Sequence, residues 1–177
     1  ISELKFEDPS EAVNAIIASA SENQGQRGEL LTGLRAYLAG VPDAELRDEL
    51  SANAMETFAR SSEKEGFDSL TEWMDEQKFS EKEKLQFSAG LSWFTTKQDT
   101  GRWVEWMSSN LPADEATDPV REVVGEWTQQ DYVAAGEWLG KTLEGPVKSA
   151  AVQAYAAAVA EYEPRIAVQW ALTIPPG

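Results

Sequence analysis

Residues 131–143 read DYVAAGEWLGKTL, and the frame of this stretch recurs along the chain. An acidic residue opens it, an Ala pair sits in the middle, Trp-Leu follows, and an aliphatic residue closes it. Residues 163–174 (EPRIAVQWALTI), 99–111 (DTGRWVEWMSSNL) and 67–79 (FDSLTEWMDEQKF) repeat the frame, with a weaker copy at 30–41 (LLTGLRAYLAGV). The anchor aromatics are Tyr37, Trp73, Trp106, Trp138 and Trp170, at spacings of 36, 33, 32 and 32 residues. Periods of this length belong to helical-hairpin repeats.

Helix signals fill the intervals between anchors. Asp8-Pro9-Ser10-Glu11 reads as a helix start, Ser80-Glu81-Lys82-Glu83 as a capping box, and Asp43 as a cap. Asp118-Pro119 and Glu163-Pro164 open further helices, and Gly40-Val41-Pro42 and Leu111-Pro112 close two. Leu46, Leu50, Ala54 and Phe58 form one apolar stripe; Leu85, Ala89 and Trp93 form another, and Val120, Val123, Val124 and Trp127 a third. No segment alternates with period two for long enough to suggest a sheet. The expectation is all-α: a right-handed α-solenoid of about five antiparallel hairpins and ten helices. It forms one domain over 1–177, with repeats near 9–42, 43–79, 80–112, 113–145 and 146–177.

Register on the anchor sorts the second helices into columns. One residue after it come Leu38, Met74, Met107, Leu139 and Ala171; three before it come Leu34, Leu70, Trp103, Ala135 and Ala167. These apolar columns share a helical face with the anchor and are predicted to be core. The residue just before the anchor differs: Ala36, Glu72, Glu105, Glu137, Gln169. Stacked helices lie on the order of 10 Å apart, so Glu72, Glu105 and Glu137 are predicted to form an acidic ladder. Trp73, Trp106, Trp138 and Trp170 recur at register, and Trp93 and Trp127 end stripes, so all six read as packing residues. Trp103 stands in an otherwise aliphatic column and pairs with Trp106, which makes it a candidate groove residue. Tyr155 and Val159 look poorly suited to face water, so the last repeat is a candidate self-association surface or is covered by a further repeat.

Composition narrows the chemistry. There are 15 Lys plus Arg against 31 Asp plus Glu, for a net charge of −16. Such a surface repels phosphate backbones and anionic membranes, so nucleic acid is not an expected partner. Cys and His are absent, which removes disulfides, Cys/His zinc sites, thiol nucleophiles and imidazole bases. No apolar window approaches the ~20 residues of a membrane span. Asp114–Asp118 lacks the spacing of an EF-hand loop, and no phosphate-binding Gly-rich loop or Gly-x-Ser-x-Gly turn occurs. No cofactor or metal is expected. The chain begins at Ile1, as after removal of a leader or within a longer polypeptide, and a periplasmic or extracellular place is favoured over the cytoplasm.

The hairpins resemble the TPR-like helical-repeat superfamily. Ala134, Trp138 and Pro146 match its small-aromatic-Pro second-helix signature, whereas its Trp-Leu-Gly-Tyr first-helix signature is absent. The chain is also similar to bacterial helical-hairpin repeat proteins of unknown function with an acidic-Pro, Ala-Ala, Trp-Leu, Leu-Pro pattern. That pattern is carried by Asp118-Pro119, Glu163-Pro164, Ala134-Ala135, Trp138-Leu139, Leu111-Pro112 and Ile174-Pro175. The resemblance implies a non-catalytic interaction or scaffold module, with Glu72, Trp103, Glu105 and Glu137 meeting a neutral or basic protein or peptide. A glycan-binding or glycan-active protein using acidic and Trp groove residues is the rival expectation; a structural spacer within a longer polypeptide is the third.

Overall fold

Side-chain caps mark the start of two of the helices. Asp43 accepts from the backbone N–H of Glu45 and Leu46 at 3.0 and 3.2 Å, and Ser80 and Glu83 close a reciprocal capping box. The computed structural model describes residues 9–22, 24–62, 65–91, 99–141 and 146–174. The expectations for Asp8, Trp93 and Pro175 lie outside these residues. Among the described residues the chain is helical without strands, as expected. Its α-helices are α1 (Pro9–Glu22), α2 (Arg27–Ala39), α3 (Ala44–Ser61), α4 (Phe67–Glu76), α5 (Glu81–Ala89), α6 (Thr100–Asn110), α7 (Thr117–Leu139), α8 (Pro146–Val159) and α9 (Pro164–Ala171).

Among the described residues nine helices stand where ten were expected, and the difference sits at Asp131. The helix expected to open at Asp118-Pro119 and the 131–143 stretch form one element, α7, broken where Asp131 takes φ −156°, ψ 82°. Its carboxylate accepts from Ala134 N at 3.1 Å, so the acidic residue caps the second half as the sequence pattern implied. No intervening loop is needed, because one capped break already redirects the chain.

Two compact units divide the chain, one ending at Gly90 and the other beginning at Leu91. Within the first, α1 packs on α3 and α3 on α5, and α1 also contacts α2. Leu31, Leu34, Phe58, Leu70, Met74 and Phe87 fill its interior. On α5 it is Phe87 and Ser88 that are buried, while Leu85 and Ala89 of the expected stripe are only half-buried. The cause is a close approach at the end of the helix. A Cβ on Gly90 would lie 2.7 Å from Ala59 Cβ and 2.8 Å from Glu56 O, so α5 sits tight on α3 and its covered face is turned accordingly.

In the second unit α7 packs on α6 and α8, and α8 on α9. Val120, Val123, Val124, Leu139 and Val159 are wholly buried. Close approach again decides the packing. A Cβ at Gly101 would collide with Trp138 Nε1, and one at Gly136 would lie 2.6 Å from the Tyr155 hydroxyl. Tyr155 and Val159, expected to lack cover, are in fact buried. Trp170 of α9 packs on Tyr155, with ring centroids 5.5 Å apart.

Burial follows the register read from the sequence. The residue three before the anchor is buried in all five second helices, and the residue just before it is exposed in all five. The residue after it is buried at Leu38, Met74, Met107 and Leu139 but exposed at Ala171. Three anchors meet a ring of the preceding helical segment: Trp73 with Phe58 at 5.9 Å, Trp138 with Trp127 at 5.7 Å, and Trp170 with Tyr155. These tilted and edge-on pairs suit the quadrupoles of the rings. They set α4, the second half of α7 and α9 against their neighbours.

Candidate ligand-facing sites

The four residues singled out from the sequence occupy different environments. Glu72 lies on α4 in the first unit; Trp103 and Glu105 on α6 and Glu137 on α7 belong to the second. All three glutamates are exposed. Glu137 approaches Lys141 at 3.9 Å, whereas the Glu72 and Glu105 carboxylates form no ion pair among the described residues. Trp103 is only 2% exposed and sits edge-on to Trp106, with centroids 5.6 Å apart. Its ring serves the interior of the second unit, so the surface elements of the set are the glutamates.

A denser constellation lies in the first unit around Trp73, which is 8% exposed. Arg27, at the first turn of α2, places its guanidinium carbon 4.4 Å from the centre of the Trp73 ring. Its Nη1 donates to Ser62 Oγ at 2.5 Å, and Nη2 donates to the Glu65 carboxylate. Ser62 Oγ in turn donates to Phe58 O at 2.6 Å. Planar, always charged and weakly hydrated, a guanidinium suits stacking on an indole while its edge holds a carboxylate. Arg27 is 7% exposed, so the pair is largely withdrawn from water. Two donors there lack a partner among the described residues: Arg27 Nε and Trp73 Nε1.

Beside these two residues is an open hollow of about 620 Å³, lined by Gly25, Arg27, Gly28, Glu29, Thr32, Trp73, Glu76 and Gln77. At its wall Gly28 lies close to the end of the Gln77 side chain, where a Cβ would lie 3.0 Å from Nε2. Past α4, Lys78 adopts φ 51°, a left-handed conformation seldom taken by a side-chain-bearing residue. That reversal lets Phe79 return onto Trp73, edge-on at 5.0 Å, with its own N–H bonded to Met74 O.

Two turns further along α2, Arg35 makes a second clamp. Its Nε and Nη2 donate to both Glu83 oxygens at 2.7 and 2.9 Å, and Nη1 donates to Gln77 O at 2.9 Å. The first two bonds form a bidentate fork on a carboxylate, and the third satisfies a carbonyl at the end of α4. Burial pushes the Glu83 carboxyl up, but hydrogen bonds from Arg35 and Ser80, together with the Arg35 charge, outweigh it and hold the group below its ordinary value of 4.5. A carboxyl held low in the folded state adds stability that is complete above its unfolded value and lost as pH falls through the folded one. We therefore expect Glu83→Gln to lower the thermal midpoint most near pH 7, with the difference narrowing as the pH falls below the ordinary value of 4.5. Midpoints measured for both proteins across that range check this; a constant difference contradicts it.

Sequence reasoning missed Arg27, Ser62 and Glu65. The only local hint was the pair of arginines eight apart on α2, which places them near one helical face; nothing local names their acidic partners. In the second unit, Val168, Leu172 and Tyr162 are exposed around α9, Leu172 at 80%. Among the described residues no cluster of three or more carboxylates is placed to hold a metal ion, and no helix is long and apolar enough to cross a membrane. No protein-family model, curated protein or solved structure matches the chain.

Proposed function

We propose that this chain is a non-catalytic protein-interaction module, a right-handed solenoid of helical hairpins that offers a carboxylate-rich surface to a neutral or basic protein segment. The observation that carries the reading is the column just before the anchor. It is exposed throughout, and it bears Glu72, Glu105 and Glu137, two of them without an ion-pair partner among the described residues. Unpaired exposed carboxylates on rigid helices attract cationic groups without first surrendering an internal partner. The side-by-side order α1–α3–α5 in the first unit, and the recurrence of the same buried and exposed columns in both units, support the hairpin-array architecture.

A blocked hexalysine peptide bearing a fluorophore tests it by anisotropy. Reversing the three column glutamates to lysine raises the net charge from −16 to −10. Reversing Glu45, Glu115 and Glu161, which are also exposed, changes it equally. The column reversal is expected to weaken binding about tenfold, roughly 1.4 kcal/mol, and the control reversal far less. Equal losses would show that only net charge matters and would sink the proposal.

The glycan reading draws on one feature, two carboxylates in a hollow beside a tryptophan. Trp73 is too covered to give a sugar ring a stacking face, so the protein-segment reading is preferred.

A further inference from the structure

We propose that the outer face of α9 is a self-association surface, on which a second copy of this chain docks its own α9 about a two-fold axis. The inference stands apart from the exposed glutamate column.

The register of the second helices carries the first half of the argument. Residues one after the anchor are buried at Leu38, Met74, Met107 and Leu139, but Ala171 is exposed. Residues two before it are buried at Val104 and half-buried at Arg35, Thr71 and Gly136, but Val168 is 59% exposed. Leu172, four residues beyond Val168, is 80% exposed. Positions i, i+3 and i+4 share a helix face, so Val168, Ala171 and Leu172 make one apolar stripe. Two of its three columns are covered in the other second helices and open here. A ridge at this spacing is what another helix packs against.

Composition and charge select the occupant. Among the described residues four large apolar side chains are exposed, Val133, Tyr162, Val168 and Leu172, and all but Val133 lie within residues 162–172. The apolar counterpart that a second copy offers to the stripe is therefore the stripe itself, which makes the contact isologous. Residues 164–174 hold one basic and no acidic residue, so two chains of net charge −16 meet where their repulsion is least. The carboxylates nearest to it, Glu161 and Glu163, flank Tyr162 at the edge of the patch, with the exposed Arg165 close behind them. A basic segment finds no carboxylate within the stripe to pair with. An antiparallel crossing centred near Val168 brings Leu172 of each copy to the Tyr162 end of the other. A helix of 8 residues offers less than the roughly 800 Å² per partner of a standard complex, so the expected dimer is concentration-dependent.

Sedimentation equilibrium of the full chain over a range of concentrations tests this. The weight-average mass is expected to climb from 19.5 kDa toward the dimer value. It should climb more readily at about 500 mM than at about 50 mM salt, because screening relieves the repulsion between acidic copies. Val168→Gln/Leu172→Gln keeps the net charge and changes only exposed side chains. It is expected to weaken the dimer at least about tenfold, since each lost apolar contact counts twice about the axis. Val133→Gln, at the exposed apolar residue outside the patch, should leave the dimer unchanged. The chain has no cysteine, so Val168→Cys supplies a lone thiol next to the axis. It should oxidise to a disulfide-linked dimer much faster than Val133→Cys. A mass that stays at 19.5 kDa up to about 1 mM overturns the proposal. So does an open series beyond the dimer, which a head-to-tail contact would give, or an equal loss in the double variant and Val133→Gln.

Discussion

Trp73→Ala is expected to lower the stability of the N-terminal unit by about 3–5 kcal/mol, the range for deleting a large aromatic side chain from a packed interior. For a unit of this size that corresponds to a midpoint drop of at least about 12 °C. No other anchor joins so many elements among the described residues. Trp73 meets Phe58 of α3, Phe87 of α5 and Phe79 of the turn after α4, and it lies under the guanidinium of Arg27. Its removal leaves a void among rings held by three separate segments, none of which can collapse inward alone. Trp106, by contrast, is half-buried, and Trp106→Ala should cost markedly less. Trp73→Phe keeps a ring against its neighbours and removes an indole N–H that has no partner among the described residues, so it should be much milder than the alanine variant. Chemical denaturation with near-ultraviolet circular dichroism measures all three. If Trp73→Ala and Trp106→Ala cost the same, Trp73 is not the centre of the first unit.

Much of this arrangement was legible in the residues, and the reason is local. A column at fixed distance from an anchor lies on a fixed side of its helix, so Leu34, Leu70 and Ala135 could be placed inside and Glu72, Glu105 and Glu137 outside without knowing any tertiary contact. Asp131 could be read as a helix start because a cap acts within three residues, and Ala134 N is its partner. What it could not reveal was whether a loop or a mere break preceded it, since both leave the same capping signal. Trp103 was harder. Its bulk in an aliphatic column suggested an exposed ring, but a column position is inside whatever occupies it, and the helix faces around α6 accommodate the larger side chain. Tyr155 and Val159 look poorly suited to face water and gain cover within the chain, Tyr155 from the ring of Trp170 and by the close approach that Gly136 permits.

The candidate pocket was not legible at all. Arg27 and Glu65 are 38 residues apart, and among 31 acidic residues nothing in composition or period singles out one as the partner of one arginine. Exposed charges can be inferred from helical phase, but a buried ion pair is a tertiary event. It depends on α2, the end of α3 and α4 meeting at one point. The hollow likewise is lined from separate segments, with Gly28 of α2 beside the Gln77 side chain. In the bare sequence a glycine at that place reads equally well as part of the turn that precedes the helix.

Glu65→Ala should cost about 3 kcal/mol, the lower end of what breaking a buried ion pair costs, since the Glu65 side chain keeps 19% of its exposure. The loss arises less from the bond than from what stays behind. Arg27 cannot shed its proton and cannot turn to water without leaving the Trp73 ring. Its Nη2 would then join Nε as an unpartnered donor beside a charge held in an apolar surround. Glu65→Gln retains an acceptor oxygen and should lose less, with the difference reporting the charge itself. The informative variant is the double replacement Arg27→Met/Glu65→Leu. A matched apolar pair removes the desolvation cost of both ions together with their attraction, so the double variant should be at least about 2 kcal/mol more stable than Glu65→Ala. Urea unfolding of the wild type and these three variants measures the differences. A double variant as unstable as Glu65→Ala would mean that the ion pair contributes by its own attraction and geometry. In that case Arg27 would be a structural rivet, and its unpartnered Nε a tolerated cost of the fold.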